Sequence, residues 1–163
     1  MSKQRGFTVI ELMVTVTLAA VLMTLAVPSM RDVGLSGQLR SVSNDLLAST
    51  RFARSEAIKQ NAVVRLCVSA DGNTCGSGSW EQGWIVLANA TVLQRHSASP
   101  TGIRMTEQSG LTSLDFQPTG LGATAATVTV CRAAPLLGNQ ERVVTVDASG
   151  RTRVTRTTTA SCP

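Results

Sequence analysis

Three hydrophobic periods succeed one another along this chain. From Gly6 the sequence GFTVIELMVTVTLAAVLMTLAVPSM is apolar almost throughout, with Glu11 as its one charged residue and Pro28 near its far end. From Leu35 the apolar positions thin out to Leu35, Leu39, Val42, Leu46, Ala53 and Ala57, while Arg40, Arg51, Arg54 and Lys59 fall mostly elsewhere around a helix. Spacings of three, four and seven make this an amphipathic helix with one buried face. From Ala62 the apolar runs become short and β-branched, separated by clusters of Gly, Pro, Asn, Asp and Ser, which is the pattern of strands.

The first run holds 24 residues from Phe7 to Met30. As an α-helix it would extend about 36 Å, enough to cross a hydrocarbon layer of about 30 Å. It is longer than the centre of a secretory signal and has no clear A-x-A cleavage site. Lys3 and Arg5 precede it and no basic cluster follows at once, so the N-terminus is expected in the cytoplasm and the rest outside, in the periplasm of a bacterium. Pro28 lacks an N–H and should weaken or kink the helix. A short gap containing Gly34 and Gly37 leads into the amphipathic half, and Asn61 is the expected stop. Beyond it, eight runs at 62–68, 83–88, 90–95, 102–107, 111–117, 126–132, 141–147 and 150–156 predict strands of one or two antiparallel sheets. The expected class is α+β: a long N-terminal helix, transmembrane in its first half and amphipathic in its second, packed on antiparallel β-structure.

Glu11 is the anomaly in the apolar run. An ionised carboxylate within a membrane costs a few kcal/mol unless it is paired or reaches the headgroups. Its company gives it a partner. Gly6 followed by Phe7, Glu11 as the fifth residue from Phe7, the aliphatic run, and Pro28 together resemble the N-terminal signature of type IV pilins and pseudopilins. The resemblance implies that a prepilin peptidase cuts after Gly6, that the new amine of Phe7 is methylated, and that Glu11 pairs with the Phe7 amine of a neighbouring subunit in a filament. Residues 1–6 would be the leader, 7–30 the membrane and filament-core helix, and 31–163 the periplasmic pilin domain. Before joining a pilus or pseudopilus the protein would be a single-pass inner-membrane protein.

Only 3% of the residues are aromatic and there is no Tyr, which suits a strand-rich domain of about 130 residues with a small core. The four cysteines Cys67, Cys75, Cys131 and Cys162 lie on the exported side, where disulfides persist. Three pairings are possible. The favoured one joins Cys67 to Cys75 across a short Gly-rich loop and Cys131 to Cys162 near the chain end, each contributing about 2 to 4 kcal/mol. Neither C-x-x-C pairs nor histidines accompany them, which speaks against zinc. Asp71, Gly72 and Asn73 read as a turn, since too few carboxylates follow for calcium. Trp80 and Trp84 are expected to pack on the helix. The pattern of an aliphatic strand ending in Cys67, then Cys75, then WEQGWIVL resembles minor pilins of the FimT and GspH type.

Charge is distributed unevenly. Loss of Lys3 and Arg5 with the leader takes the 15 basic residues to 13, against 10 acidic, so the net charge falls from +5 to +3. Up to Val130 the charges of the mature chain cancel. The excess lies between Cys131 and Cys162, in Arg132, Arg142, Arg151, Arg153 and Arg156 against Glu141 and Asp147. There RVVTVDASGRTRVTR reads as a hairpin whose second strand puts Arg151 and Arg153 on one face, with Thr152 and Val154 on the other. Two adjacent guanidiniums suit an anion such as successive phosphates; a solvated face that deters edge pairing is the plainer alternative. Gly150, Arg151 and Arg153 resemble the GRxR motif of FimT-type pilins, which implies capture of DNA during natural transformation. With few aromatics to stack bases, binding should be to double-stranded DNA through its phosphates, without sequence preference, with Arg156 and Arg142 as supporting charges.

Catalysis finds little support. His96, the single histidine, lies in QRHSASP with no Asp, Glu or Cys near it in sequence, and no nucleophile elbow, Walker loop or H-E-x-x-H is present. The expected partners are DNA, other pilin subunits, the inner membrane and the prepilin peptidase, with no cofactor and no metal. The alternative is a structural minor pseudopilin of a type II secretion system that never touches DNA.

Overall fold

The computed structural model describes residues 8–121, 123–133 and 141–158, and at 25–33 and 35 the backbone alone. Gly6, Phe7 and Cys162 lie outside the described residues. The chain divides into two units, Met1–Gly37 and Gln38–Pro163.

In the first unit, helix α1 (Val9–Gln60) begins with a capped turn. Thr8 Oγ1 accepts the Glu11 N–H at 3.3 Å, so Thr8 and Glu11 occupy the N-cap and N3 places of a T-x-x-E capping sequence. Glu11 therefore also sits where the helix dipole favours a negative charge. The hydroxyls of Thr15, Thr17 and Thr24 turn back onto carbonyls of the preceding turn at 2.7–3.0 Å. That leaves an outer surface of side chains such as Ile10, Leu12, Val16, Leu18 and Leu22, all more than half exposed. A helix apolar on every side needs a lipid or protein environment. Among the described residues, no helix is long and apolar enough to cross a membrane; the far end of the run, with Pro28, falls where only the backbone is described.

The gap expected around Gly34 and Gly37 is not there: α1 continues through both. Apart from the adjoining residues and the helix's own backbone, no atom of a described residue lies within 4 Å of where a Cβ would stand at either glycine. Each costs a helix about 1 kcal/mol relative to Ala, which is not enough to end it.

In the second unit α1 buries Leu39, Val42, Leu46, Ala53 and Ala57, the expected stripe, together with Ser43, Ser49 and Thr50. It stops at Asn61, which adopts φ 50°. Eight strands follow: β1 (Val64–Val68), β2 (Trp84–Ala88), β3 (Thr91–His96), β4 (Ile103–Glu107), β5 (Ser113–Phe116), β6 (Ala126–Arg132), β7 (Glu141–Val146) and β8 (Thr152–Thr157). They form two four-stranded antiparallel sheets, ordered β3-β2-β1-β5 and β4-β6-β7-β8. One apolar core joins them to the helix, with Leu66, Trp84, Leu114, Phe116, Val128 and Val144 among its members.

Cys67 and Cys75 are bonded to each other, with Cα atoms 5.5 Å apart. Cys131 is also disulfide-bonded. Within the first loop Asp71 accepts from the N–H groups of Asn73 and Thr74 and from the hydroxyls of Ser69 and Thr74. These donors, the Thr74 N–H foremost, hold its carboxyl far below the usual range. Its oxygens are thus taken up in shaping the turn. Arg95 closes over the loop through Gly72 O at 2.8 Å.

Candidate nucleic-acid interface

Strands β7 and β8 form the predicted hairpin, paired from Glu141↔Thr157 to Val146↔Thr152. Its tip is built by Asp147 and Gly150. The Gly150 N–H donates to Asp147 O at 2.8 Å, and Asp147 Oδ1 accepts from the N–H of Ser149 and the N–H of Arg151, each at 3.0 Å. Gly150 has φ 74°, and a Cβ there would meet Arg54 Nε and Gly120 O, both at 3.1 Å. Glycine is needed for the turn and for that close approach.

The Ser149 hydroxyl, then the Arg151 N–H, hold the Asp147 carboxyl below the ordinary carboxylate range. With the folded pKa depressed below the unfolded value of about 3.9, its contribution is complete above that value and is lost as pH falls through the folded one. The Arg151 amide resonance of the labelled chain should accordingly hold its position between about pH 7 and 5 and move only below about pH 4. Movement in the upper interval would show that the carboxylate does not set this turn.

The turn fixes which way the arginines face. Thr152 is buried and Val154 half-buried against the core, while Arg151 and Arg153 are exposed on the other side. Arg153 stands opposite Thr145, so no acid faces it across the hairpin. No salt bridge or side-chain hydrogen bond joins either guanidinium to another described residue.

Arg142 and Arg156 belong elsewhere. They are paired across the hairpin, in step with the Val144↔Val154 and Val146↔Thr152 pairs, and so share that face, on which Arg142 is buried and Arg156, farther along β8, is exposed. Arg142 is only 7% exposed and its Nη1 donates to Glu141 O. Burial, then the charges of Arg156 and Arg40, push its pKa down. The five site residues of the hairpin are therefore divided: Gly150, Arg151 and Arg153 at the tip, Arg142 and Arg156 on the reverse.

The tip gains neighbours that the sequence pattern did not assign to it. Arg54 of α1 donates from Nε to Gly120 O at 3.0 Å and from Nη1 to Gly150 O at 3.3 Å. Beside it an open recess of about 430 Å³ is lined by Arg51, Arg54, Ser55 and Ile58 of the helix and by Arg151 and Thr152. The signal was present in the spacing: residues 51, 54, 55 and 58 share one helix face. The hairpin tip lies over that face, an approach between distant parts of the chain that helical spacing does not encode.

His96 also acquires a carboxylate, correcting the impression of isolation: Asp45 Oδ2 lies 3.4 Å from Nε2. The imidazole stacks on Trp84 with ring centres 3.9 Å apart, and its place is in the packing between helix and sheet.

A long N-terminal helix with an exposed apolar start, packed farther on against antiparallel sheets, defines the pilin class. Similar folds occur in the type IV minor pilin FimU of Pseudomonas aeruginosa (TM-score 0.60, 23% identity, covering 73% of this chain and 89% of that one). The minor pseudopilin EpsH of the Vibrio cholerae type 2 secretion system is also similar (TM-score 0.55, 12% identity, 73% and 97%). No curated protein matches the sequence significantly. The family described as type II transport protein GspH matches residues 42–150, and the prokaryotic N-terminal methylation motif matches residues 1–27. The chain belongs to the GspH family and is a minor pilin or pseudopilin of the GspH and FimT type, a class that assembles with other pilin subunits after peptidase processing.

Proposed function

We propose that this minor pilin binds double-stranded DNA through its β7–β8 hairpin and so supports DNA uptake in natural transformation alongside pilus assembly. Cleavage after Gly6 frees the Phe7 amine, Glu11 pairs with that amine in a neighbouring subunit, and residues 7–30 hold the chain in the inner membrane with residues 31–163 in the periplasm. Cys131 pairs with Cys162. The observation that carries the DNA reading is the pair Arg151 and Arg153, exposed on one hairpin face without a salt bridge among the described residues. Their forks suit successive phosphates. Arg156 and Arg142, on the reverse face, contribute positive field rather than contacts.

Binding of this kind has a Kd of about 10⁻⁴ to 10⁻⁶ M and weakens linearly in log Kd against log salt. Titrating the full chain in detergent micelles with two duplexes of unrelated sequence tests it. Equal affinities and a steep salt dependence are expected; no binding, or a strong preference for one duplex, would sink the reading. No binding would favour the second reading, a structural pseudopilin of a type II secretion system, which the GspH match supports.

A further inference from the structure

The recess beside the hairpin has features that a merely solvated surface does not require. Its walls carry three guanidiniums, those of Arg51, Arg54 and Arg151, and no carboxylate. Like charges brought together in this way repel unless an anion joins them. Arg54 is held by Gly120 O and Gly150 O, so its plane is set before any ligand arrives and its Nη2 makes no hydrogen bond to a described residue. Preorganisation of that kind lowers the entropic cost of binding. Thr152, also lining the recess, is 7% exposed, and its Oγ1 has no hydrogen-bond partner among the described residues. An orphaned hydroxyl is costly and unusual in a native fold. The exposed Ile58 adds one apolar wall.

We infer that this recess is a seat for one phosphate group, with Arg51 and Arg54 as its ligands on the helix and Arg151 as its ligand on the hairpin. The class of ligand is a phosphodiester: its charged oxygens meet the arginines while the attached deoxyribose lies on Ile58. At about 430 Å³ the recess is larger than a bare phosphate needs and has room for the sugar. In naming a further contact the inference rests on the DNA-binding reading. It moves the centre of that interface from the hairpin face to the junction of hairpin and helix, where Arg153 would take a neighbouring phosphate.

Arg51 gives the cleanest probe, being exposed and without a side-chain hydrogen bond or salt bridge to a described residue. Arg104 is the control: also exposed, but on β4, the opposite edge of the sheet that ends in β8. In the full chain in micelles, Arg51→Gln should make the salt slope for a duplex shallower by about 1 and weaken binding about 8-fold at 0.1 M salt. Arg104→Gln should change neither. The ³¹P resonance of inorganic phosphate should be broadened by the native chain and by Arg104→Gln, and not by Arg51→Gln. Equal slopes for Arg51→Gln and Arg104→Gln would overturn the seat while leaving DNA binding intact. If the native chain binds no duplex yet broadens phosphate through Arg51, the DNA reading falls and the seat stands for a smaller phosphoryl ligand. Acetate displacing phosphate at equal concentration would overturn the phosphate assignment in favour of a carboxylate from another protein subunit.

Discussion

Trp84→Ala is expected to destabilise the folded domain by about 3–5 kcal/mol. Trp84 is 1% exposed and is the largest of the fully buried side chains. It fills the space between β2 and α1, where its indole Nε1 donates to Ser49 Oγ at 2.9 Å and its face stacks on His96. Truncation removes the ring, leaves a cavity that a close-packed core cannot fully close, and strips the Ser49 hydroxyl of this donor. Trp84→Phe separates these effects, since it keeps most of the apolar contact and loses the indole donor, at a cost of about 1–3 kcal/mol for the unpaired group. Urea denaturation provides the measurement: the midpoint should fall with the slope m unchanged. A loss under about 1 kcal/mol for the alanine variant would mean that this residue does not dock the helix on the sheet.

That docking also explains what the sequence could and could not reveal. All eight strands were readable because period-two runs end at residues with turn chemistry, as Asp147 and Gly150 do. Their partners were not, since alternation specifies a face and not a neighbour; β5 pairs with β1 across a long stretch of intervening chain. The helix stripe was readable at its apolar positions and incomplete at Ser43, Ser49 and Thr50. Ser43 and Thr50 can be buried because their hydroxyls bond to the Leu39 and Leu47 carbonyls. Glu107 is buried for a similar reason, its carboxylate accepting from the N–H groups of Ser109, Leu111 and Thr127. Ala90 stands at φ 66° in the β2–β3 turn, a place where composition would favour glycine. The hairpin carrying Arg151 and Arg153 followed from local pattern, whereas its reading as a DNA site came from the resemblance of Gly150, Arg151 and Arg153 to the GRxR motif. The helix half of the candidate site, Arg51 and Arg54, depends on a tertiary approach between residues nearly a hundred positions apart, which no local period encodes.

Arg151→Gln combined with Arg153→Gln should weaken duplex binding by roughly 60-fold at 0.1 M salt. The figure follows from counterion release. Each phosphate contact contributes about 0.9 to the slope of log affinity against log salt, so two lost contacts remove about 1.8, and a tenfold dilution from the 1 M reference multiplies the deficit accordingly. From a starting Kd of about 10⁻⁵ M the variant would bind near the millimolar range. The fold should be untouched, because both side chains are exposed and neither makes a side-chain hydrogen bond to a described residue; the turn is held by the Arg151 backbone N–H, which Gln retains. Replacing both by Lys keeps the charge and loses the planar fork, so that variant should keep the native slope and bind with intermediate affinity. The lysine variant therefore divides the two contributions: a native affinity would reduce the motif to charge alone, whereas an intermediate one assigns part of the binding to the bidentate geometry of arginine. A glutamine variant with native slope and affinity would place the DNA contacts somewhere other than this hairpin.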